Sequence, residues 1–134
     1  NMITPEMKDY ILRYIVENED IRIMIDCTTM ASELNTTSVS IEKILNQFER
    51  LNLCKINNYY GDTCDITVQA EADDLMFRGG FVFQEEILKA NLDKLAIELE
   101  YLSKETSGTT LNRVYTMLSI LGIILQAAPS IDGK

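Results

Sequence analysis

The sequence predicts a mainly α protein with a small β-hairpin, an α+β front region followed by two long C-terminal helices. Three observations carry this. Apolar residues recur at helical spacing in three separate runs within the first 51 residues, the period then shortens to two on either side of a Tyr-Tyr-Gly-Asp-Thr stretch, and residues 83–128 are almost free of helix breakers. A chain of 134 residues accommodates one domain, or a small domain with an appendage. With 46% apolar and 25% charged residues the composition is globular, which excludes collagen, a disordered linker and a low-complexity tail. There is no histidine, so a Ser-His-Asp triad, a Cys-His pair and the usual zinc sites are out of reach. We therefore expect no catalytic residues, no metal and no cofactor.

Thr4 is a good N-cap, Pro5 suits the first helical position and Glu6 complements the positive end of the dipole. Met7, Tyr10, Ile11, Tyr14 and Ile15 then form one stripe at spacings of three and four, and Glu17-Asn18-Glu19-Asp20 ends the helix. Ile21, Ile23 and Ile25 alternate as in a short strand. Thr28 to Leu34 reads as a short helix broken by Asn35-Thr36. Thr37 caps a longer one whose apolar set is Ile41, Ile44, Leu45, Phe48 and Leu51, with Asn52 placed for a left-handed end. A five-residue loop at 59–63 would pair Cys54 with Val68, Ile56 with Ile66 and Asn58 with Cys64, placing the apolar side chains on one face. Thr67 would open a run from Val68 to Arg78, stopped by Gly79-Gly80, which reads as a hinge and not as a phosphate loop.

This order, with Met30-Ala31-Ser32-Glu33-Leu34-Asn35-Thr36-Thr37 followed by Ile41-Glu42-Lys43-Ile44-Leu45-Asn46-Gln47-Phe48-Glu49-Arg50-Leu51-Asn52-Leu53, resembles the winged helix-turn-helix of small MarR-like and PadR-like transcriptional regulators over roughly residues 4–80. Ile66 to Leu75 is similar to the segment that closes many such domains, with Val68 and Ala70 where the family has proline and glycine. The resemblance implies a support helix, a recognition helix and a wing, and with them duplex DNA as a partner. The recognition surface would be Thr36, Ser38, Val39, Ser40, Glu42, Lys43, Asn46, Gln47 and Arg50. Lys43, Asn46, Gln47 and Arg50 are types that read base edges, and Thr36, Ser38 and Ser40 suit phosphates. Tyr59 and Tyr60 would form the wing tip, where a base or a protein stacks; a packed turn with one tyrosine folded back is the alternative.

Charge opposes this partner at long range. The chain carries −9, a dimer would carry −18, and residues 1–52 hold five basic against nine acidic side chains. An acidic winged-helix adaptor that binds another protein is therefore the second expectation. Glu17-Asn18-Glu19-Asp20 and Asp73-Asp74 read as solvated surface.

From Phe83 to Lys104, Leu88, Leu92, Leu95, Leu99 and Leu102 repeat at 4-3-4-3, while Ile87, Ala90, Ile97 and Tyr101 lie off that seam. After a turn over Ser103–Thr110, a nearly all-apolar helix runs from Leu111 to about Ala128 and stops at Pro129. Its uninterrupted core, Ile120 to Leu125, is short for a bilayer span, so a membrane anchor is disfavoured against an oligomer core. The expected organisation is residues 2–80 as the winged helix, 81–128 as a helical hairpin for homodimerisation through Leu88, Leu92, Leu95, Leu99, Leu102, Leu118, Leu121 and Leu125, and 129–134 as a tail. Three cysteines without a CxxC read as buried free thiols, and with no charged, apolar leader at the start a cytoplasmic location is expected.

Overall fold

The computed structural model describes residues 2–127; Ala128, Pro129 and the tail to 134 lie outside the described residues. Nine elements follow in the order α1 (Pro5–Glu17), β1 (Arg22–Asp26), α2 (Cys27–Glu33), α3 (Ser38–Arg50), β2 (Cys54–Tyr60), β3 (Thr63–Val68), α4 (Ala70–Phe77), α5 (Gly80–Glu105) and α6 (Gly108–Ala127). The chain is mainly helical with a small antiparallel sheet and two long C-terminal helices, and the order of its first six elements is compatible with a winged helix. Two compact units divide between Val82 and Phe83.

In the front unit, Thr4 caps α1 by accepting from the Met7 amide at 3.3 Å. The buried side chains of α1 are Pro5, Ile11, Leu12 and Ile15, while Tyr10 and Tyr14 stay exposed, so the inward stripe is turned by about one position from the one expected. Tyr10 instead donates its hydroxyl to Glu33 of α2 at 2.8 Å. Asp26 caps α2, accepting from the Thr28 and Thr29 amides. Asn35 and Asn52 both take the left-handed conformation, ending α2 and α3 without glycine. Leu51 lies past the end of α3 and is exposed, leaving Ile41, Ile44, Leu45 and Phe48 as the fully buried face.

β1 joins the hairpin, pairing with β3 from Arg22↔Thr67 to Asp26↔Thr63, so the sheet has three strands in the order β1-β3-β2. Between β2 and β3, Cys54↔Val68 and Ile56↔Ile66 pair as the alternation predicts, and then the register shifts at a bulge on Asn57. The expected Asn58–Cys64 pair is replaced by Asn58↔Asp65, Tyr59↔Cys64 and Tyr60↔Thr63, and the loop shrinks from five residues to Gly61-Asp62. Asn57 holds the bulge by donating its amide to Thr67 Oγ1 at 2.9 Å and Asp65 Oδ1 at 3.3 Å. Asp65 is 1% exposed on this sheet and receives the guanidinium of Arg22 from β1.

Val68 remains in β3, so α4 starts two residues later than expected, with Gln69 donating its amide to the Leu53 carbonyl at 2.9 Å. α5 begins at Gly80, three residues early, because the carboxylate of Asp9 on α1 accepts from the amides of Phe81 (2.6 Å) and Val82 (3.1 Å). The carboxylate satisfies two of the orphan donors at the α5 start, and Gly80, at φ 75°, leaves room for it. Phe81 stacks on Phe48 at a centroid distance of 5.5 Å, which ties the first turn of α5 into the front core.

In the second unit the turn is shorter than expected, only Thr106 and Ser107, because Ser103 and Thr106 bond back to the carbonyls of Glu100 and Leu102. Leu99, Val114 and Leu121 are buried, with Leu92, Ala96 and Leu118 packed against them. The leucine seam is thus divided. Leu92, Leu99, Leu118 and Leu121 serve the chain's own hairpin, Leu125 is half-buried, and Leu88, Leu95 and Leu102 are exposed.

Candidate nucleic-acid interface

α3 presents one exposed stripe, Val39, Lys43, Asn46 and Arg50, at spacings of four, three and four opposite its buried face. Its capping residue Thr37 accepts from the Ser40 amide at 3.2 Å, and its hydroxyl donates to Ser40 Oγ at 3.1 Å. Ser40 is consequently buried at 5% exposure, and its hydroxyl is engaged within the helix start. It does not reach a phosphate as expected. The same correction applies to Thr36, whose Oγ1 is buried in the α2–α3 turn while its amide donates to the Ala31 carbonyl at 2.9 Å. Ser38 and Gln47 are half-buried, and Lys43, Asn46 and Arg50 remain fully presented.

Sequence reading missed Lys8. It comes from α1, and its ammonium lies over the Phe81 ring at 5.4 Å, on the aromatic pair that Phe81 makes with Phe48. Lys8, Lys43, Asn46, Gln47 and Arg50, with Ile3 and Ile44, line one groove of about 330 Å³. The signal is tertiary: 35 residues separate Lys8 from Lys43, and nothing local links them. Arg22–Asp65 is the one ion pair among the described residues, so none of the three cations of the groove is paired with a carboxylate.

The hairpin turn offers less than expected. The bulge adds one residue to β2 and inverts the alternation beyond it, so Tyr59 turns inward onto the core and only Tyr60 stays exposed, at 54%. Both tyrosines belong to β2 and neither to the turn. The turn itself is drawn down onto α2, with the Cys27 amide donating to the Asp62 carbonyl at 2.9 Å and Thr28 Oγ1 donating to the Asp62 carboxylate at 2.6 Å. Because β1 also ends level with Thr63, the hairpin does not project past the sheet, and its end carries Asp26 and Asp62.

The three thiols are free and buried under this sheet. Burial pushes Cys27 and Cys54 up to about 12 and raises Cys64 as well, so all three stay protonated and unreactive near neutral pH. Asp65 is the opposite case: the hydrogen bond from Arg22 is the largest influence and holds its carboxyl below the ordinary range against the effect of burial. Among the described residues no group of three or more Cys, Asp or Glu is placed to hold a metal ion.

No family model, no curated protein and no solved structure matches this chain.

Proposed function

We propose that this protein is a DNA-binding transcriptional regulator of the winged-helix kind, similar in layout to the MarR-like and PadR-like regulators, that acts in the cytoplasm as a homodimer and has no enzymatic activity. The observation that carries the reading is the convergence of Lys8, Lys43 and Arg50 beside Asn46 and Gln47 in one groove, within a chain of net charge −9. Random placement in so acidic a chain does not favour three unpaired cations around two amide side chains. Cations neutralise phosphates, and Asn, Gln, Arg and Lys are the side chains that read purine edges in the major groove.

The acidic, non-projecting hairpin end confines contact to α3 and the start of α1. Three cations per head and six per pair give a log–log salt slope of about −5. The test is fluorescence polarisation of the full chain with genomic duplex fragments at low and rising salt. Binding with that slope, reduced by about 3–4 in the Lys43→Ala, Arg50→Ala double variant, is expected. Absence of binding to any genomic duplex at low salt, or a slope indifferent to both substitutions, contradicts the reading.

A protein adaptor is the second reading, favoured by the exposed Tyr60 next to Asp62. It gains if duplex is ignored and a basic protein is retained by the wild type but released by Tyr60→Ala.

A further inference from the structure

The connection Thr106-Ser107 is the centre of a symmetric pairing in the second unit. Leu99 lies seven residues before Thr106 and Val114 seven after Ser107; Leu92 and Leu121 lie fourteen before and fourteen after. α5 and α6 therefore form an antiparallel hairpin zipped along this line. At about 100° per residue, Leu88, Leu95 and Leu102 sit roughly 40–80° to one side of the Leu92–Leu99 column. Met117, Ile120 and Ile124 sit roughly 60–120° in the same rotational sense from the Val114–Leu121 column. Two antiparallel helices facing each other bring equal senses of rotation to the same side. The six residues thus share one face of the hairpin, each 41–52% exposed. The reverse face carries Lys89, Asp93 and Glu100 from α5, with Tyr115 from α6.

We infer that this joint face of Leu88, Leu95, Leu102, Met117, Ile120 and Ile124 docks against the same face of a second copy, making a four-helix bundle. Along α5 the face spans fourteen residues, about 21 Å at 1.5 Å per residue. Two helices wide, it covers roughly 400 Å², about half of what one partner contributes to a standard interface, with the rim to supply the rest.

Charge selects the occupant. At the edge of this face, each about 100° from its buried column in that same rotational sense, the charged residues are Glu98 on α5 and Arg113 on α6. They lie almost level: facing positions of the hairpin have numbers that sum to 213, and these sum to 211. A two-fold axis parallel to the helices stacks α5 of each copy on α6 of the other and brings Glu98 of one copy to Arg113 of the other, twice per dimer. Lipid fits the same surface less well. Gly108–Gln126 is long and apolar enough to cross a membrane, with a mean hydropathy of 1.2. To do so α6 would have to abandon Leu92 and Leu99, and α5, with Glu98, Glu100 and Lys104, could not follow it into hydrocarbon. A second copy covers the face with the hairpin intact.

This inference deepens the homodimer part of the proposed function and is independent of duplex binding. Its test is light scattering of the full chain at micromolar concentration, with helicity followed by circular dichroism. The expected mass is about twice 15.2 kDa, falling to 15.2 kDa for Leu95→Glu with α-helix retained. Glu98→Arg weakens self-association by about tenfold, and adding Arg113→Glu to the same chain restores it. The charge reversal keeps the test sharp even if Leu95→Glu unfolds the hairpin. A wild-type mass of 15.2 kDa overturns the inference, as does a dimer indifferent to Glu98→Arg, or a chain that floats with phosphatidylcholine–phosphatidylglycerol vesicles. A dimer that ignores duplex removes the regulator reading and leaves this one standing; a monomer that binds duplex does the reverse.

Discussion

The front unit and the C-terminal hairpin are both rich in aliphatic side chains, and they bury them very differently. Among the described residues the front unit closes seventeen apolar side chains into one core, nine of them at 0% exposure. The hairpin buries three, Leu99, Val114 and Leu121, none of them completely. The cause is geometric. A sheet covered by α1, α2, α3 and α4 encloses side chains from several directions, whereas two helices in a plane meet along one line and leave both flanks bare. One line is enough to fix the pairing of α5 with α6 and too little to cover Leu88, Leu95, Ile120 and Ile124. The front unit encloses its own core; the hairpin leaves most of its large apolar side chains exposed.

The contrast can be broken most forcefully at Phe48, which is fully buried and stacked on Phe81. Phe48→Ala should cost the front unit about 3–5 kcal/mol in urea denaturation and leave the mass of the full chain in light scattering unchanged. If self-association disappears with it, the two regions are not energetically separate. A smaller loss is expected at Gly80. A Cβ there would lie 2.5 Å from Asp9 Oδ1, at φ 75°, and the carboxylate cannot retreat without releasing the Phe81 and Val82 amides. Gly80→Ala should cost about 1–3 kcal/mol, again read in the urea transition of the front unit.

Acid provides the finest discrimination. The Arg22 hydrogen bond lowers the folded carboxyl of Asp65 beneath its unfolded value of about 3.9. Its contribution is therefore full above about pH 4 and is lost as pH falls through the lowered folded value. Asp65→Asn should be less stable than wild type at pH 7, with the gap closing on acidification below pH ~4. A gap that stays constant down to the acid transition would show that the ion pair with Arg22 contributes nothing.

Much of this organisation was legible in the chain itself. Periodicity located α1, α3 and the hairpin strands, and Thr4, Thr37 and Asn52 marked their ends, because capping and helical spacing are local properties. What escaped was non-local. The bulge at Asn57 depends on Asp65 and Thr67 across the ladder, and with it went the position of Tyr59. The early start of α5 depends on Asp9, 71 residues before Gly80. Of the candidate DNA-contacting residues, Lys43, Asn46 and Arg50 are presented, whereas the Ser40 hydroxyl is drawn to the Thr37 cap and that of Thr36 is buried in the turn without a partner. Lys8 carried no sequence signal, since its place in the groove is set by the Phe48–Phe81 stack. The 4-3-4-3 leucine repeat does not tell which of its columns packs within the chain and which stays exposed.

The most direct test of the contrast is the thermal unfolding of the full chain across a hundredfold range of protein concentration, followed by site-resolved hydrogen exchange or two spectroscopic probes. A transition in α5–α6 that rises with concentration while the front unit unfolds at a fixed temperature is the result expected of a self-sufficient head and a hairpin completed by a second copy. Unfolding of both regions at temperatures indifferent to concentration would contradict it.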